Sequence, residues 1–543
     1  MAAVGGMGWF GRKTYKKTVE HRLVAQAKDY LAKKDYHNTS LCVQRALQLN
    51  PISPGAAQVM ADMLEEVDAP TALVWRTRAA KLQPGNMEQR FHWAETAIRM
   101  HDVPSATEAL DGLDAMAKAT ATYHKLKGAL AWSLHQTDEA EKEYLEADRL
   151  EPENLTVQLN LATTRLTSTN ENIAKTARVS LQELSTHSEV RLEALHQLFA
   201  DAVAHKSSEQ AVAYSLQIVK DPSATFRDKI DYLELLRETK SSEYSNWLAA
   251  LEKASVTDST NAFALAHWKA TTGNPIDALR WIKSLPPQIQ TNQPVPLVMT
   301  DCQMAVKDWK GILAEVDKAD WGEANYYKLA LQSLAERSLG ESAAADVSWR
   351  KSVRASDHRL DRLARLAEIT GVWGWTSEKS EVLTEIVDEF PQETWALDQL
   401  ASQLHASGKT LEMERLYSKA YSKDPSNIRL KNNLANLYLL QKTELPKAYE
   451  MAKEVYNDST NNPFFASTYA YSLLLQSKSD EALKVVNGLK AEYLQIPSVA
   501  LYYGVVQAKA GHKDISREAL KRAQAGNLLP EERAIVQLAE AQR

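Results

Sequence analysis

The chain of 543 residues is poor in the residues that break helices, cross-link chains or bind nucleic acid. It has 19 glycines and 18 prolines, and β-branched residues seldom alternate with polar ones, so a turn-rich sheet protein is not expected. Its two cysteines, Cys42 and Cys302, are 260 residues apart, which excludes a disulfide framework and fits a reducing compartment. The net charge of −6 argues against nucleic acid as the main partner, because phosphate binding needs a basic surface.

Long apolar runs are also missing, since no stretch of about 20 apolar residues occurs. Residues 1–11 are nonetheless apolar and small, end in Trp9 and Phe10, and are followed by a basic segment. This order is typical of the end of a membrane helix. We therefore expect residues 1–22 to be the remnant of a membrane anchor that begins further upstream, with a frayed apolar terminus as the alternative. The basic flank favours a cytoplasmic or inner-membrane-associated body with a soluble repeat array, and the side of the membrane stays open.

Motifs for catalysis, cofactors and metals are absent. The glycines at 6, 8 and 11 have dinucleotide-fingerprint spacing, but no strand is predicted before them. Residues 408–410 (Gly-Lys-Thr) lack the earlier glycine of a phosphate loop. The 13 histidines are scattered singly, and no His/Cys cluster or nucleophile motif occurs. We expect no cofactor, no metal site and no catalytic residue; an enzyme with an unrecognised site in 169–390 is the main alternative.

The chain does contain a repeat with a period near 34 residues. Three prolines that each close a helix-like segment lie 33 and 68 residues apart, and a small residue stands five positions before each one. A fixed period of this length is the signature of stacked helix pairs, each of which buries its apolar face only against its neighbours. The prolines are Pro51, Pro84 and Pro152, and the small residues are Ala46, Ala79 and Ala147.

Residues 23–50 show one complete unit. Leu23, Ala27 and Leu31 share one helical face, a turn follows at residues 35–36, and a second helix runs to the Asn50-Pro51 stop. The small residues let the two helices of a unit approach closely. The same outline returns at 124–152 and 395–425, with further copies at 429–462, 464–490 and 497–525.

These residues resemble the tetratricopeptide repeat (TPR) family, strongly over 23–165 and 391–525. The resemblance implies an all-α fold, a right-handed α-solenoid of antiparallel helix pairs, with on the order of 15 units. Between about 169 and 390 amphipathic helices continue, but the closing prolines and paired alanines are mostly lost. We expect four segments: an N-terminal apolar and basic segment at 1–22, an N-terminal TPR block at 23–168, degenerate helical repeats at 169–390 and a C-terminal TPR block at 391–543.

The resemblance also implies a binding groove, because in TPR proteins the first helix of each unit lines a concave surface. Two of the groove positions, Asn432 and Asn436, are one helical turn apart. An asparagine amide can donate to and accept from an extended peptide backbone at once. The carried-over positions, each with a solvent-facing polar residue as the alternative, are Lys125, Trp132, Asp398, Ser402, His405, Arg429, Asn432, Asn436 and Tyr471.

A non-enzymatic scaffold that binds a protein or peptide partner is therefore the expected function. Bacterial TPR proteins with an apolar, basic-flanked N-terminus often work at the cell envelope, in pilus, secretion or polysaccharide assembly, so membrane association through the N-terminus is an implied possibility. No residue here selects among these pathways. A self-associating structural array is a further alternative.

Two composition features of the middle of the chain bear on its packing. Nine of the 13 tryptophans fall between Trp247 and Trp395, and most are expected to be core residues where degenerate repeats lack small-residue contacts. The basic run 349–365 is expected to be a solvated face that turns at a helix start near Ser356-Asp357.

Overall fold

The computed structural model describes the backbone of residues 2–541 and the side chains of residues 15–541. Over this range the chain forms 33 α-helices and two short 3-10 helices, and the described residues contain no strand. The predicted all-α solenoid is confirmed. The surroundings of the N-terminal glycine motif and the side chains of Trp9 and Phe10 lie outside the described residues.

The pair α8–α9 shows why the sequence forms closely packed antiparallel helices. Thr120 caps the first helix by accepting from the Tyr123 amide. Gly128 then faces the second helix so closely that a Cβ there would lie 2.9 Å from the Tyr144 ring. Ala140, opposite, is completely buried. Small residues at these positions therefore set the distance between the helices, as their spacing predicted.

The chain divides into two compact units, and the first comprises residues 1–256. It contains seven consecutive antiparallel helix pairs, with the single turn α7 between the third and fourth. Its helices are α1 (Ala2–Ala32), α2 (Tyr36–Leu49), α3 (Pro54–Glu66), α4 (Ala72–Leu82), α5 (Met87–Arg99), α6 (Val103–Asp111), α7 (Ala115–Lys118), α8 (Ala121–Ser133), α9 (Thr137–Leu150), α10 (Leu155–Leu166), α11 (Glu171–Leu184), α12 (Arg191–Ala204), α13 (Ser208–Lys220), α14 (Phe226–Glu238) and α15 (Tyr244–Ser255).

The second unit comprises residues 257–543 and, over its described part, contains eight helix pairs and a final unpaired helix. The short helix α18 separates its first two pairs. Its helices are α16 (Ser259–Thr272), α17 (Pro275–Ser284), α18 (Pro287–Thr291), α19 (Val295–Ala305), α20 (Trp309–Val316), α21 (Asn325–Ser338), α22 (Ser342–Ala355), α23 (Leu360–Trp373), α24 (Thr376–Glu389), α25 (Thr394–Ala406), α26 (Thr410–Lys423), α27 (Ile428–Gln441), α28 (Leu445–Asp458), α29 (Pro463–Leu475), α30 (Ser479–Asn487), α31 (Pro497–Lys509), α32 (Lys513–Gln524) and α33 (Pro530–Ala541).

The helix ends agree with the repeat signals in the sequence. Helices α2, α4 and α9 end two residues before Pro51, Pro84 and Pro152. Helix pairs also continue through 169–390, where the closing prolines are mostly missing. The described part of the chain therefore holds fifteen pairs in all, in agreement with the number that the period predicts.

One predicted helix start is wrong. Ser356 is the C-cap of α22, and α23 begins only at Leu360. The Ser356 hydroxyl donates to the Val353 carbonyl at 2.6 Å, so this side chain closes one helix instead of opening the next. Asp357 and His358 then have positive φ angles of 55° and 51°, which carry the chain around the turn.

The tryptophans between 247 and 395 pack as expected, since all nine are buried or half-buried. Trp349 and Trp373 both contact Trp375, with ring centroids 6.0 and 5.0 Å away. The Arg337 guanidinium lies 3.9 Å from the Trp375 ring centroid on its face. These large side chains therefore pack between neighbouring helices. The expectation that small-residue contacts are missing here is wrong, since Ala330, Ala335 and Ala345 are completely buried in the same region.

The basic run 349–365 is partly neutralised by neighbouring carboxylates. Arg359 and Arg362 both pair with Glu323, and Arg365 pairs with Glu368 at 2.7 Å. None of the helices in residues 2–541 combines the length with the apolar character that crossing a bilayer requires.

Candidate ligand cavity in the C-terminal groove

The first helices of the pairs form the inner side of the second unit near its C-terminal end. Helix α29 contacts both α27 and α31, its first-helix neighbours, in addition to its own partner α30. In a curved array of helices, those that contact each other past an intervening helix lie on the inner side, where the radius is shorter. The surface formed by α27, α29 and α31 is therefore the concave one, in agreement with the arrangement that the TPR resemblance implies.

A cavity of about 580 Å³ lies on this concave surface. Its lining combines amides and hydroxyls with apolar side chains, most of which are buried. Ile428 and Phe464 are the exposed apolar residues of the lining, with 38% and 46% of their surface accessible, so they form an apolar edge where the cavity is open to solvent. The polar wall comprises Asn432, Asn433, Asn436, Asn462, Ser459, Ser467, Thr468 and Ser498.

Local sequence signals orient α27 so that its asparagines face the cavity. Asn427 caps the helix by accepting from the backbone amides of Arg429 and Leu430. Ala435 is completely buried in the α27–α28 pair, which fixes the rotation of the helix. Asn432 and Asn436 lie one turn apart on the other side and both line the cavity.

The final helix, α33, closes one side of the cavity. It packs against α31 and α27, and two residues at its start, Leu529 and Glu532, line the cavity. The Thr410 hydroxyl donates to the Glu531 carboxylate at 2.5 Å, across 121 residues. This last helix therefore lies on the concave surface instead of extending the row of pairs.

Glu532 has two roles at this position. Its carboxylate accepts from the Leu529 backbone amide at 2.9 Å, which is the capping contact of a glutamate in the third helical position. The residue is 6% exposed and lines the cavity. No sequence signal marked Glu532, because Leu529 stands where a capping box has serine or threonine.

The polar wall contains one hydrogen-bonded asparagine and one unsatisfied one. Tyr502 donates to the Asn436 side-chain oxygen at 2.8 Å, and burial raises the pKa of Tyr502 well above its ordinary value. The Asn432 oxygen has no hydrogen-bond partner, although the residue is only 5% exposed. Its amide nitrogen lies 3.5 Å from the Asn433 oxygen. A buried acceptor without a partner costs free energy, and a ligand can supply the missing donor.

The charged groups of the cavity differ in their environments. Arg429 pairs with Asp398 at 3.1 Å, and about half of each side chain is exposed. Burial lowers the pKa of His405, which favours the neutral imidazole. Burial raises the pKa of Glu532, against the lowering effect of the Leu529 amide. Within the described residues, no cationic side chain lies within ion-pair distance of Glu532.

The cavity brings together four of the groove residues predicted from the sequence, and it leaves three others from the same block outside its lining. His405, Arg429, Asn432 and Asn436 line it. Asp398 does not line the cavity, but it pairs with Arg429, which does. Ser402 is exposed on α25 and does not line the cavity. Tyr471 is buried, with its ring centroid 5.1 Å from that of Tyr502. The structure therefore places Tyr471 in the packing behind the wall.

The two predicted residues of the first unit belong to other surfaces. Lys125 on α8 is half-buried, and its charge helps to lower the pKa of Glu95 on α5, after the hydrogen bond from His92. Trp132 lines a separate cleft of about 440 Å³. That cleft contains Arg178, which pairs with Asp201 at 2.7 Å, so its charges already satisfy one another.

The part of the chain with described side chains holds no group of three or more His, Cys, Asp or Glu placed to bind a metal ion. No family model and no curated protein matches the sequence.

Solved structures with a helical-repeat likeness include Pseudomonas aeruginosa pilF, with 15% identity, a TM-score of 0.33, and coverage of 41% of this chain and 99% of that one. PilW, a widely conserved type IV pilus biogenesis factor, gives 16% identity, a TM-score of 0.34, and coverage of 40% and 98%. The APC/C hetero-tetramer Cut9-Hcn1 gives 13% identity, a TM-score of 0.29, and coverage of 94% and 98%. At these values the likeness concerns the repeat fold and carries no functional argument.

The description of the fold depends on the repeats themselves. Both units consist of antiparallel pairs joined by short turns, with small buried residues between the helices of a pair and first helices on the inner side. The described residues therefore form an all-α solenoid of antiparallel helix pairs, which is the fold that the TPR resemblance implies.

Proposed function

We propose that the chain is a non-enzymatic scaffold that binds a peptide segment of a partner protein in the cavity of its C-terminal groove. The observation that carries this proposal is the Asn432 oxygen, which is buried in the cavity wall without a hydrogen-bond partner. Such a group lowers stability unless something pairs with it. Its position beside Asn436 on one helical face suits the alternating donors and acceptors of a peptide backbone.

The size and lining of the cavity support a peptide as the ligand. A volume of about 580 Å³ lies within the usual range of ligand pockets, about 300–1,000 Å³. The exposed apolar edge at Ile428 and Phe464 offers surface to side chains of the ligand, while the amides behind it offer hydrogen bonds to its backbone. A segment with apolar side chains and an extended backbone fits both.

Affinity purification from the source organism with mass spectrometry tests this function. The variant Asn432→Ala/Asn436→Ala removes the amides of the wall, and Asn172→Ala, an exposed asparagine of the first unit, is the matched control. We expect the wild type and the control to retain the same discrete set of proteins and the cavity variant to lose it. Retention of one unchanged set by all three proteins would place the binding site elsewhere. If, in addition, the molecular mass of the purified chain in solution rises with its concentration, the self-associating array is favoured.

We also propose a place at the bacterial cell envelope, which rests on the apolar and basic residues 1–22 and on no residue of the cavity. Fractionation of cells that produce the full chain tests it. Recovery with the membranes that is lost when Arg12, Lys13, Lys16 and Lys17 are replaced by glutamine supports this location. Recovery in the soluble fraction for both proteins contradicts it.

A further inference from the structure

The inner wall of the cavity contains hydrogen-bond acceptors with unused capacity. The hydroxyls of Ser467 and Thr468 donate to backbone carbonyls of their own helix, at 2.7 and 3.1 Å. Their remaining capacity towards the cavity is that of acceptors. The Asn432 oxygen has no partner.

The carboxyl group of Glu532 also lines this wall. The residue is 94% buried, as its 6% exposure shows, and within the described residues it has no cationic partner. It accepts from the Leu529 amide and also interacts with the Tyr502 hydroxyl. Acceptor positions remain, because a carboxylate offers about four of them. A buried carboxyl group with spare acceptor positions is favourably placed to receive a cation.

The two basic side chains that line the cavity do not pair with the Glu532 carboxyl group. Arg429 is the only lining residue with a permanent positive charge among the described side chains. It stands at the half-exposed edge and pairs with Asp398. His405 is the remaining candidate, and burial lowers the pKa of its imidazole. The interior therefore lacks a positive charge that matches Glu532.

We propose that the inner end of the cavity anchors a lysine or arginine side chain of the bound peptide, with Glu532 as its counter-ion and the Asn432 oxygen as a second acceptor. The inference rests on the proposed peptide-binding function and names the side chain that this function selects. An ammonium or guanidinium group supplies donors alone, so it can pair with the Glu532 carboxylate and the Asn432 oxygen at once. Helix α33 therefore contributes to specificity as well as closing the cavity.

The test uses the full chain and hexapeptide libraries in which one position is fixed as lysine, as norleucine or as glutamate. Norleucine keeps the aliphatic chain of lysine and lacks its charge. Binding is measured by fluorescence anisotropy for the wild type, Glu532→Gln and Asn432→Ala. The matched control is Glu518→Gln, an exposed glutamate of α32. Glutamine at 532 can still accept from the Leu529 amide, so the start of α33 is retained.

We expect the wild type to bind the lysine library at least about tenfold more tightly than the norleucine library, as a charge-assisted hydrogen bond in a buried site allows. Glu532→Gln should reduce this preference to less than about twofold, and Glu518→Gln should keep it. Equal binding of both libraries by the wild type overturns the inference, and this comparison needs no variant. An unchanged preference in Glu532→Gln also overturns it.

Failure of the peptide-binding function would look different. In that case Asn432→Ala would bind every library as the wild type does, whichever residue is fixed. Weakened binding of all libraries by Asn432→Ala, without a lysine preference in the wild type, would retain the peptide site and reject the basic anchor.

Discussion

The hydroxyl of Tyr502 donates a 2.8 Å hydrogen bond to the side-chain oxygen of Asn436, across 66 residues of chain. This contact joins α31 to α27 over the intervening pair. It holds one asparagine of the cavity wall in place, while Asn432, one turn earlier, has an oxygen without a partner. The wall therefore contains one asparagine held by a contact within the fold and one whose oxygen is unpaired.

Replacing Tyr502 by phenylalanine should destabilise the second unit by about 1 kcal/mol, the usual net value of a buried hydrogen bond. The neighbouring Tyr503→Phe is the control and should change stability by less than about 0.5 kcal/mol, as substitutions away from such contacts do. Urea denaturation followed by circular dichroism gives both values. An equal loss in the two variants would mean that the Tyr502 hydroxyl contributes nothing specific.

Asn432→Ala should leave stability unchanged or slightly raised, because it removes a buried acceptor without a partner, and it should weaken peptide binding. Asn427→Ala should do the reverse. Asn427 caps α27, and loss of such a cap costs about 1 kcal/mol, while the side chain does not line the cavity. Melting curves and library binding measured on the same samples separate the two effects. A stability loss in Asn432→Ala as large as that of Asn427→Ala would show that Asn432 is structural.

The helix pairs were predictable from the sequence, whereas the cavity was predictable only in part. Helix pairs follow from apolar periodicity and small residues within about 34 positions, so their existence and most of their ends could be read directly. Asn432 and Asn436 were identified for the same reason, since their spacing of one helical turn is local.

The contacts that close the cavity join distant parts of the chain. The Thr410–Glu531 bond spans 121 residues and the Tyr502–Asn436 bond spans 66, so neither follows from the repeat period. The position of α33 on the concave surface breaks the pattern of pairs, and its sequence predicts only a helix. Glu532 was therefore missed, and the burial of Tyr471 could not be foreseen from its place in a groove position.

Gly128→Ala should destabilise the first unit, because the added Cβ would lie 2.9 Å from the Tyr144 ring. Overpacking of this kind costs about 1–3 kcal/mol. Gly85→Ala is the matched control, since nothing lies within 4 Å of a Cβ at that position. Differential scanning calorimetry should show a lower melting temperature for Gly128→Ala alone. Equal melting temperatures would contradict the close approach of α8 and α9. By the same reasoning Ala140→Trp should lower stability by at least as much.

The stability of the first unit should fall in acid because of Glu65. Burial raises the pKa of this carboxyl group, but hydrogen bonds from Arg76 and Thr96 and the charges of Arg76 and Arg99 bring it below its ordinary value of 4.5. A depressed pKa in the folded state contributes stability above pH 4.5, and this contribution is lost as the pH falls through the folded-state pKa.

Glu65→Gln should therefore lose about 2 kcal/mol at pH 7, the value of a hydrogen bond to a charged group, and should show a shallower loss of stability below pH 4.5. Denaturation curves between pH 3 and pH 7 measure the slope. The exposed Glu193→Gln of α12 is the control and should follow the wild type. If the free energy of unfolding falls equally steeply below pH 4.5 in all three proteins, Glu65 is ruled out as a source of the pH dependence.

Site-specific photo-crosslinking in the source organism tests the central claim most directly. A benzophenone amino acid replaces Phe464 at the cavity edge or, as a control, the exposed Val74 of the first unit, which is 65% accessible. Irradiation should link a discrete partner protein to position 464 and not to position 74, and Asn432→Ala/Asn436→Ala should abolish the link. The same products at both positions, or a link at 464 that persists in the double variant, would contradict binding in the C-terminal cavity.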